Sequence, residues 1–424
     1  MIPRKLFLLA ALSVVFAVLN VSGQDLPDVS SVKDLPATAP PSPKYQRLQP
    51  FSIHSQPDFL NNETSPVLAA NAQVTRFSRA NVISVPNFPG WFSSRGKVWP
   101  FIMIGRAPTT GATVNVPAHI VAVSLKLQNA NLVTFTTVSV APFETPTLMS
   151  PNFQPANYSS GSAIQFADAV QRAEFFHAMK PGWHTRLNPS IVHHVTMNVP
   201  RFTTVTVNGK KNQVQTYFTS KSGDGRTVVL LLDQFFDQQI SKLVVNEINA
   251  GRFTTGALNI ALFPNTFLFS LDTSGGTGQC CTVGFHTFFT DNGRPKESRW
   301  LFAFASWISP GVFDGGFQDV TALSHEISEA FDDPFLDNVV PAWQFPGEPG
   351  TCQNVFETGD PVEVLSNSVS PIHLSGMTYH PQTEALLQWF KQKVPSTALH
   401  NAFSYPNIKA LPKPATPFGP LTCP

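Results

Sequence analysis

Charge is scarce in this chain. Only 13% of its 424 residues are Asp, Glu, Lys or Arg, and the formal net charge is +1. Nothing here would neutralise a phosphate backbone, which excludes nucleic acid as a partner. Long apolar runs are as scarce: after the N-terminal one, no stretch is long enough to cross a bilayer. Gly-x-Ser-x-Gly, the phosphate-binding loop and the dinucleotide fingerprint do not occur, so the enzyme classes built on them fall away. Cysteine is confined to Cys280, Cys281, Cys352 and Cys423. With none in residues 24–75, a propeptide that latches a metal site through a thiolate is excluded.

What the chain does hold is phenylalanine (36) and proline (38), a balance that suits a strand-rich extracellular protein. Arg4 and Lys5 precede an apolar run over residues 6–18, with Ser22 and Gly23 before Gln24. That is the pattern of a secretory signal peptide over residues 1–23, which predicts a secreted protein, extracellular or periplasmic. In that setting the even cysteine count predicts two disulfides. Pairing Cys280 with Cys281 would close a strained ring, so crosslinks from this vicinal pair to Cys352 and Cys423 are expected.

Residues 24–95 read as a Pro-rich linker or propeptide. From 96 to 225 strands dominate, with β-branched and aromatic runs at 98–104, 113–116 and 120–127 and a helix over 163–177. Asn208-Gly209 marks a hairpin turn between 201–207 and 213–218. His193 and His194 are adjacent on a strand, point to opposite faces and are read as structural. The pattern changes at about 226. A buried strand over 227–232 leads into a helix capped by Asp233 and ended by Gly251. Strands follow at 258–263, 283–290 and 299–308, the last two antiparallel. The expected fold is α+β, with a second part, 226–424, built on a mixed sheet, a backing helix and a further helix that carries chemistry.

That helix spans 318–335. Val320, Leu323, Ile327, Ala330 and Phe331 gather on one side, and His325, Glu329 and Asp332 on the other. Asp319 or Thr321 can cap its start, and Pro334 biases Asp333 out of helical angles. His325 and Glu329 are four positions apart, so an imidazole nitrogen and a carboxylate oxygen from adjacent turns can share a metal ion. Glu326, about 100 degrees around the helix, is placed to hold a water without ligating the metal. This is the zinc-protease layout His-Glu-x-x-His with Glu329 in place of the second histidine. The alternative is an ordinary solvated polar face. A third ligand would come from Glu357 or Asp360, two carboxylates on a sharply turning segment. His286, Tyr379 and His380 are further candidates, the last two as oxyanion stabilisers. A second helix is expected over 382–393.

The succession of backing helix, strands and metal-bearing helix resembles the upper lobe of zincin-type metallopeptidases. The segments Gln279-Cys-Cys281, Gly284-Phe-His286, Ser324-His-Glu-Ile-Ser-Glu-Ala-Phe-Asp-Asp-Pro334, Pro341-Ala-Trp343, 352–361 and Tyr379-His-Pro381 resemble a group of secreted bacterial proteins. More distantly, the chain is similar to plant phosphate-induced, exordium-like extracellular proteins, which share a His-Glu-x-x-Glu helix and a later Glu-x-x-Asp. The resemblance implies a site built from His325, Glu329, Glu357 and Asp360, with Glu326 as base. The expectation is a zinc-dependent hydrolase acting on extracellular polypeptide. Its rival is a non-catalytic protein associated with a cell-wall polymer, holding Zn(II) or the harder Ca(II) as a structural ion.

Overall fold

Strands buried on both faces read as unbroken apolar runs, and two such runs form the middle of the molecule. In the computed structural model, which describes residues 85–158, 162–207, 210–271, 277–290, 298–344 and 352–415, these are strands Leu258–Pro264 and Arg299–Trp307. They pair in parallel, and Leu258–Pro264 pairs in parallel with the long strand Thr113–Gln128, which also pairs in parallel with His184–Val199. Gly284–Thr290 closes one edge antiparallel to Arg299–Trp307, and Thr134–Val138 joins Thr113–Gln128 antiparallel. The result is a mixed six-stranded sheet that draws on both sides of residue 226. A second, four-stranded sheet runs in the order Thr277–Thr282, Thr266–Leu271, Thr227–Leu232, Tyr217–Lys221. The fold is α+β and strand-rich, with six α-helices among the described residues. None of these helices is long and apolar enough to cross a membrane.

Side-chain alternation assigns each face of the six-stranded sheet its own helix. Phe302 and Phe304 point to the side of helix Asp233–Asn249, where the Phe236 ring lies 4.6 Å from Phe304 and 5.4 Å from Phe263. Leu301, Ala303 and Ala305 point the other way and pack with Leu323, Ile327 and Ala330 of helix Thr321–Asp332. Each such large apolar side chain contributes about 1.5–3 kcal/mol on burial, so the apolar stripe of this helix sets its seat on the sheet. The two alanines let it approach closely. In the strand register Ile260, Ala303 and His286 form one cross-strand row, and Gly284 lies opposite Ala305. Residues in one row share a face, so His286 and Gly284 sit on the side of that helix.

Several expectations need correction. The helix expected over 382–393 is a single turn, Leu387–Phe390, because Glu384 and Ala385 pair with Ser404 and Tyr405 instead. The runs at 113–116 and 120–127 are one strand. Cys280 and Cys281 are not shared out to Cys352 and Cys423 but are bonded to each other, across a cis peptide that brings their Cα atoms to 3.0 Å. The expectation of separate crosslinks rested on the strained ring that a vicinal pair closes. Cys352 is also disulfide-bonded. Cys423, the one other cysteine, lies outside the described residues, as do the signal segment, most of the Pro-rich segment, and Asn208-Gly209. The strands flanking that dipeptide, Phe202–Val207 and Lys210–Gln215, do pair antiparallel. His193 and His194 bind separate carboxylates, Glu247 at 2.9 Å and Glu144 at 3.0 Å.

Helix Asp233–Asn249 carries a pH-dependent load of its own. Burial and the neighbouring Asp233 push the Asp237 carboxyl up to about 7, and burial pushes Asp233 up to about 6. The folded chain keeps protons here that the unfolded chain releases, so this contribution to stability is lost as pH rises from about 4 to about 7. Asp237→Asn is therefore expected to raise the melting temperature at pH 8 by about 2 °C or more, and to leave it unchanged at pH 3. Equal responses at the two pH values would refute this reading.

Candidate metal centre

Helix Thr321–Asp332 starts where Asp319 accepts the Val320 N–H at 2.6 Å and the Thr321 hydroxyl donates to the Gln318 carbonyl at 2.6 Å. It stops at Asp333, whose angles (φ −135°, ψ 67°) are non-helical, since the proline that follows disfavours the helical region. Every one of its residues is buried. The solvated polar face allowed by the sequence does not exist, because strand Gly284–Thr290 and the later segments around 357–363 and 382–385 cover it.

His325 is held from two sides. Its Nδ1–H donates to Gln382 Oε1 at 3.1 Å, and the Gln382 amide is itself fixed by donating to the Gly359 carbonyl at 2.6 Å. Gly359 leaves room for the ring: a Cβ there would lie 2.4 Å from Nδ1. With Nδ1 committed, Nε2 faces Glu329 Oε1, 3.0 Å away, and Asp360 Oδ1, 3.6 Å away. Glu329 Oε1 also accepts the Gly359 N–H at 3.0 Å.

His286 repeats the arrangement from the edge strand. Its Nε2–H donates to the Asp333 carbonyl at 3.1 Å, which turns Nδ1 toward the acids of the helix. Around Nδ1 stand Glu329 Oε2 at 3.3 Å, Glu326 Oε2 at 3.7 Å and Glu357 Oε2 at 3.8 Å. An imidazole whose other nitrogen donates to a carbonyl or amide oxygen is the usual orienting device for a metal-ligating histidine. Glu326 leans on Gly284, where a Cβ would come within 2.6 Å of Oε1.

These spacings suit metal coordination. Two donors about 2.1 Å from one tetrahedral ion stand about 3.4 Å apart. The nitrogen-to-oxygen distances here run from 3.0 to 3.8 Å. Three donor groups converge: His286, Glu329 and Glu357; His325, Glu326 and Glu329; His325, Asp360 and Glu363. None of these side chains is more than 4% exposed.

The electrostatics fit a site designed to hold positive charge. Burial alone would push both imidazoles down, but the carboxylates outweigh it, Glu357 foremost for His286 and Glu329 for His325, and both stand well above the ordinary histidine value. Burial pushes Glu326, Glu357, Asp360 and Glu384 up. Glu329 goes the other way, because His325 and His286 together outweigh its burial. Its carboxylate is thus the fixed negative charge between two imidazoles. Protons occupy places that a cation can take over, which is how metal binding couples to proton release.

The structure brings His325, Glu329, Glu357 and Asp360 into this cluster, with Glu326 and His286 beside them. It does not bring in Tyr379 and His380. His380 Nδ1 lies 2.6 Å from Asp319 at the start of the helix, and the Tyr379 hydroxyl donates to the Pro146 carbonyl at 3.0 Å. Glu363, Gln382, Gly359 and Glu384 belong to the site without having been read from the sequence. Glu363 had a signal, since it lies one helical turn after Asp360. Glu384 had none. Its two oxygens make no hydrogen bond among the described residues, and His325 is its largest charged neighbour. Comparison with known protein families, with curated proteins and with solved structures finds no match to this chain.

Proposed function

We propose that this is a secreted, zincin-like metal-dependent hydrolase, a peptidase, with a centre built on His325, Glu329 and Asp360 or Glu357. The supporting observation is the orientation of His325: its Nδ1–H is tied to Gln382, and its Nε2 faces Glu329 and Asp360. Imidazole donors favour Zn(II) or a similar transition ion over Ca(II). Such an ion polarises a carbonyl and acidifies water. Glu326, the next residue on the helix, takes a proton from the attacking water and passes it to the leaving amine. The edge strand Gly284–Thr290 lies over the helix and is placed to pair with an extended peptide.

A second reading has its own support. Structural metal sites are closed whereas catalytic ones keep an open position, and no member of this cluster is more than 4% exposed. In that reading the ion pins the helix to the 357–363 segment of a non-catalytic extracellular protein. Metal analysis and a peptide-library assay on wild type and Glu326→Gln separate the two. The hydrolase reading expects Glu326→Gln to keep its metal and lose about 10²–10⁴-fold in cleavage rate. Stoichiometric metal with no turnover by wild type on any peptide would favour the closed structural site.

A further inference from the structure

We propose that the centre holds two divalent transition-metal cations bridged by the Glu329 carboxylate. This rests on the metal-binding reading above and extends it to a second site. The two oxygens of Glu329 serve different nitrogens: Oε1 lies 3.0 Å from His325 Nε2, and Oε2 lies 3.3 Å from His286 Nδ1. Each nitrogen has its own further acids. Asp360 and Glu363 converge with His325, while Glu357 converges with His286. Among the described residues no group of converging donors contains both histidines. Donors to one ion are at most about 4.2 Å apart, so the two imidazoles address separate ions.

A carboxylate bridging through both oxygens suits the spacing of about 3.5–4 Å found in two-metal hydrolytic sites. Charge balance points the same way. With Glu326, Glu329, Glu357, Asp360, Glu363 and Glu384 ionised and both imidazoles neutral, one divalent ion leaves a buried charge of about −4 and two leave about −2. A separate observation marks the second position. Glu326 Oε2 is buried, makes no hydrogen bond, and faces His286 Nδ1 from 3.7 Å. An ion on His286 would take up this oxygen in place of its ionic contact with the imidazole.

The test is a Mn(II) titration of the purified, metal-stripped full chain, read by metal analysis and electron paramagnetic resonance. Wild type is expected to take up two equivalents and to show an exchange-coupled spectrum. His286→Ala and Asp360→Asn are each expected to hold one equivalent, with an uncoupled six-line signal. One equivalent in wild type, unchanged in His286→Ala, would overturn the second site and leave the single-ion reading standing. No binding at all would overturn both. If His286→Ala does not fold, the wild-type spectrum decides: a coupled pair supports the bridge, and an isolated signal at saturation overturns it.

Discussion

Glu329→Gln is expected to cost the protein its metal: affinity falls at least about a hundredfold, and the melting temperature of the metal-loaded variant drops to that of chelated wild type. Glu329 is held well below the usual carboxylate range, so it is the permanent negative charge that both imidazoles face. Glutamine keeps the shape and can still accept the Gly359 N–H, yet it brings no charge and replaces one oxygen with a donor. An ion present at a hundred times its dissociation constant stabilises the fold by about 2.7 kcal/mol, and that contribution disappears with it. Thermal melts with and without chelator measure the effect. A variant that melts as wild type does in both conditions would remove Glu329 from the centre.

Gly359→Ala should be nearly as damaging although it touches no ligand atom. The new Cβ would lie 2.4, 2.5 and 2.6 Å from Nδ1, Cε1 and Cγ of His325. The backbone there has ordinary angles (φ −78°, ψ −35°), so the effect is steric rather than conformational. The ring cannot simply retreat, because Gln382 holds one edge and Glu329 faces the other. Overpacking of this kind costs about 1–3 kcal/mol. A rotated imidazole loses its alignment, and metal affinity is expected to fall about 10–100-fold. Calorimetric titration with Zn(II) would show it, and a variant with wild-type affinity would mean that the ring is not a ligand.

Much of this could be read along the chain. The helix Thr321–Asp332, its end at Asp333, and the pairing of His325 with Glu329 follow from a 3.6-residue period and one proline. The strands at 227–232, 258–264 and 299–307 follow from short apolar runs between turn signals. The face of the helix did not. His325, Glu329 and Asp332 look like a wetted surface because their covering residues are dispersed along the chain, and no local pattern reports them. Tyr379 and His380 drew notice for their chemistry, but the strand Met377–Tyr379 and its exit deliver them to Pro146 and Asp319 instead. The vicinal cysteines were misassigned because their pairing depends on one peptide's geometry, about which residue types are silent.

Composition and periodicity by themselves determined an α+β chain with little charge, several buried strands, and one helix bearing an imidazole and a carboxylate on the same side. Those are properties of nearest neighbours and of single turns. Only the tertiary structure decided that His286 joins the centre, because that depends on the strand register that sets it beside Ala303. It also decided which nitrogen of His325 faces the acids, because Gln382, 57 positions away, occupies the other. That Glu329 looks two ways is likewise a matter of distance in space. A carboxylate becomes a bridge only when folding places a different partner at each of its oxygens.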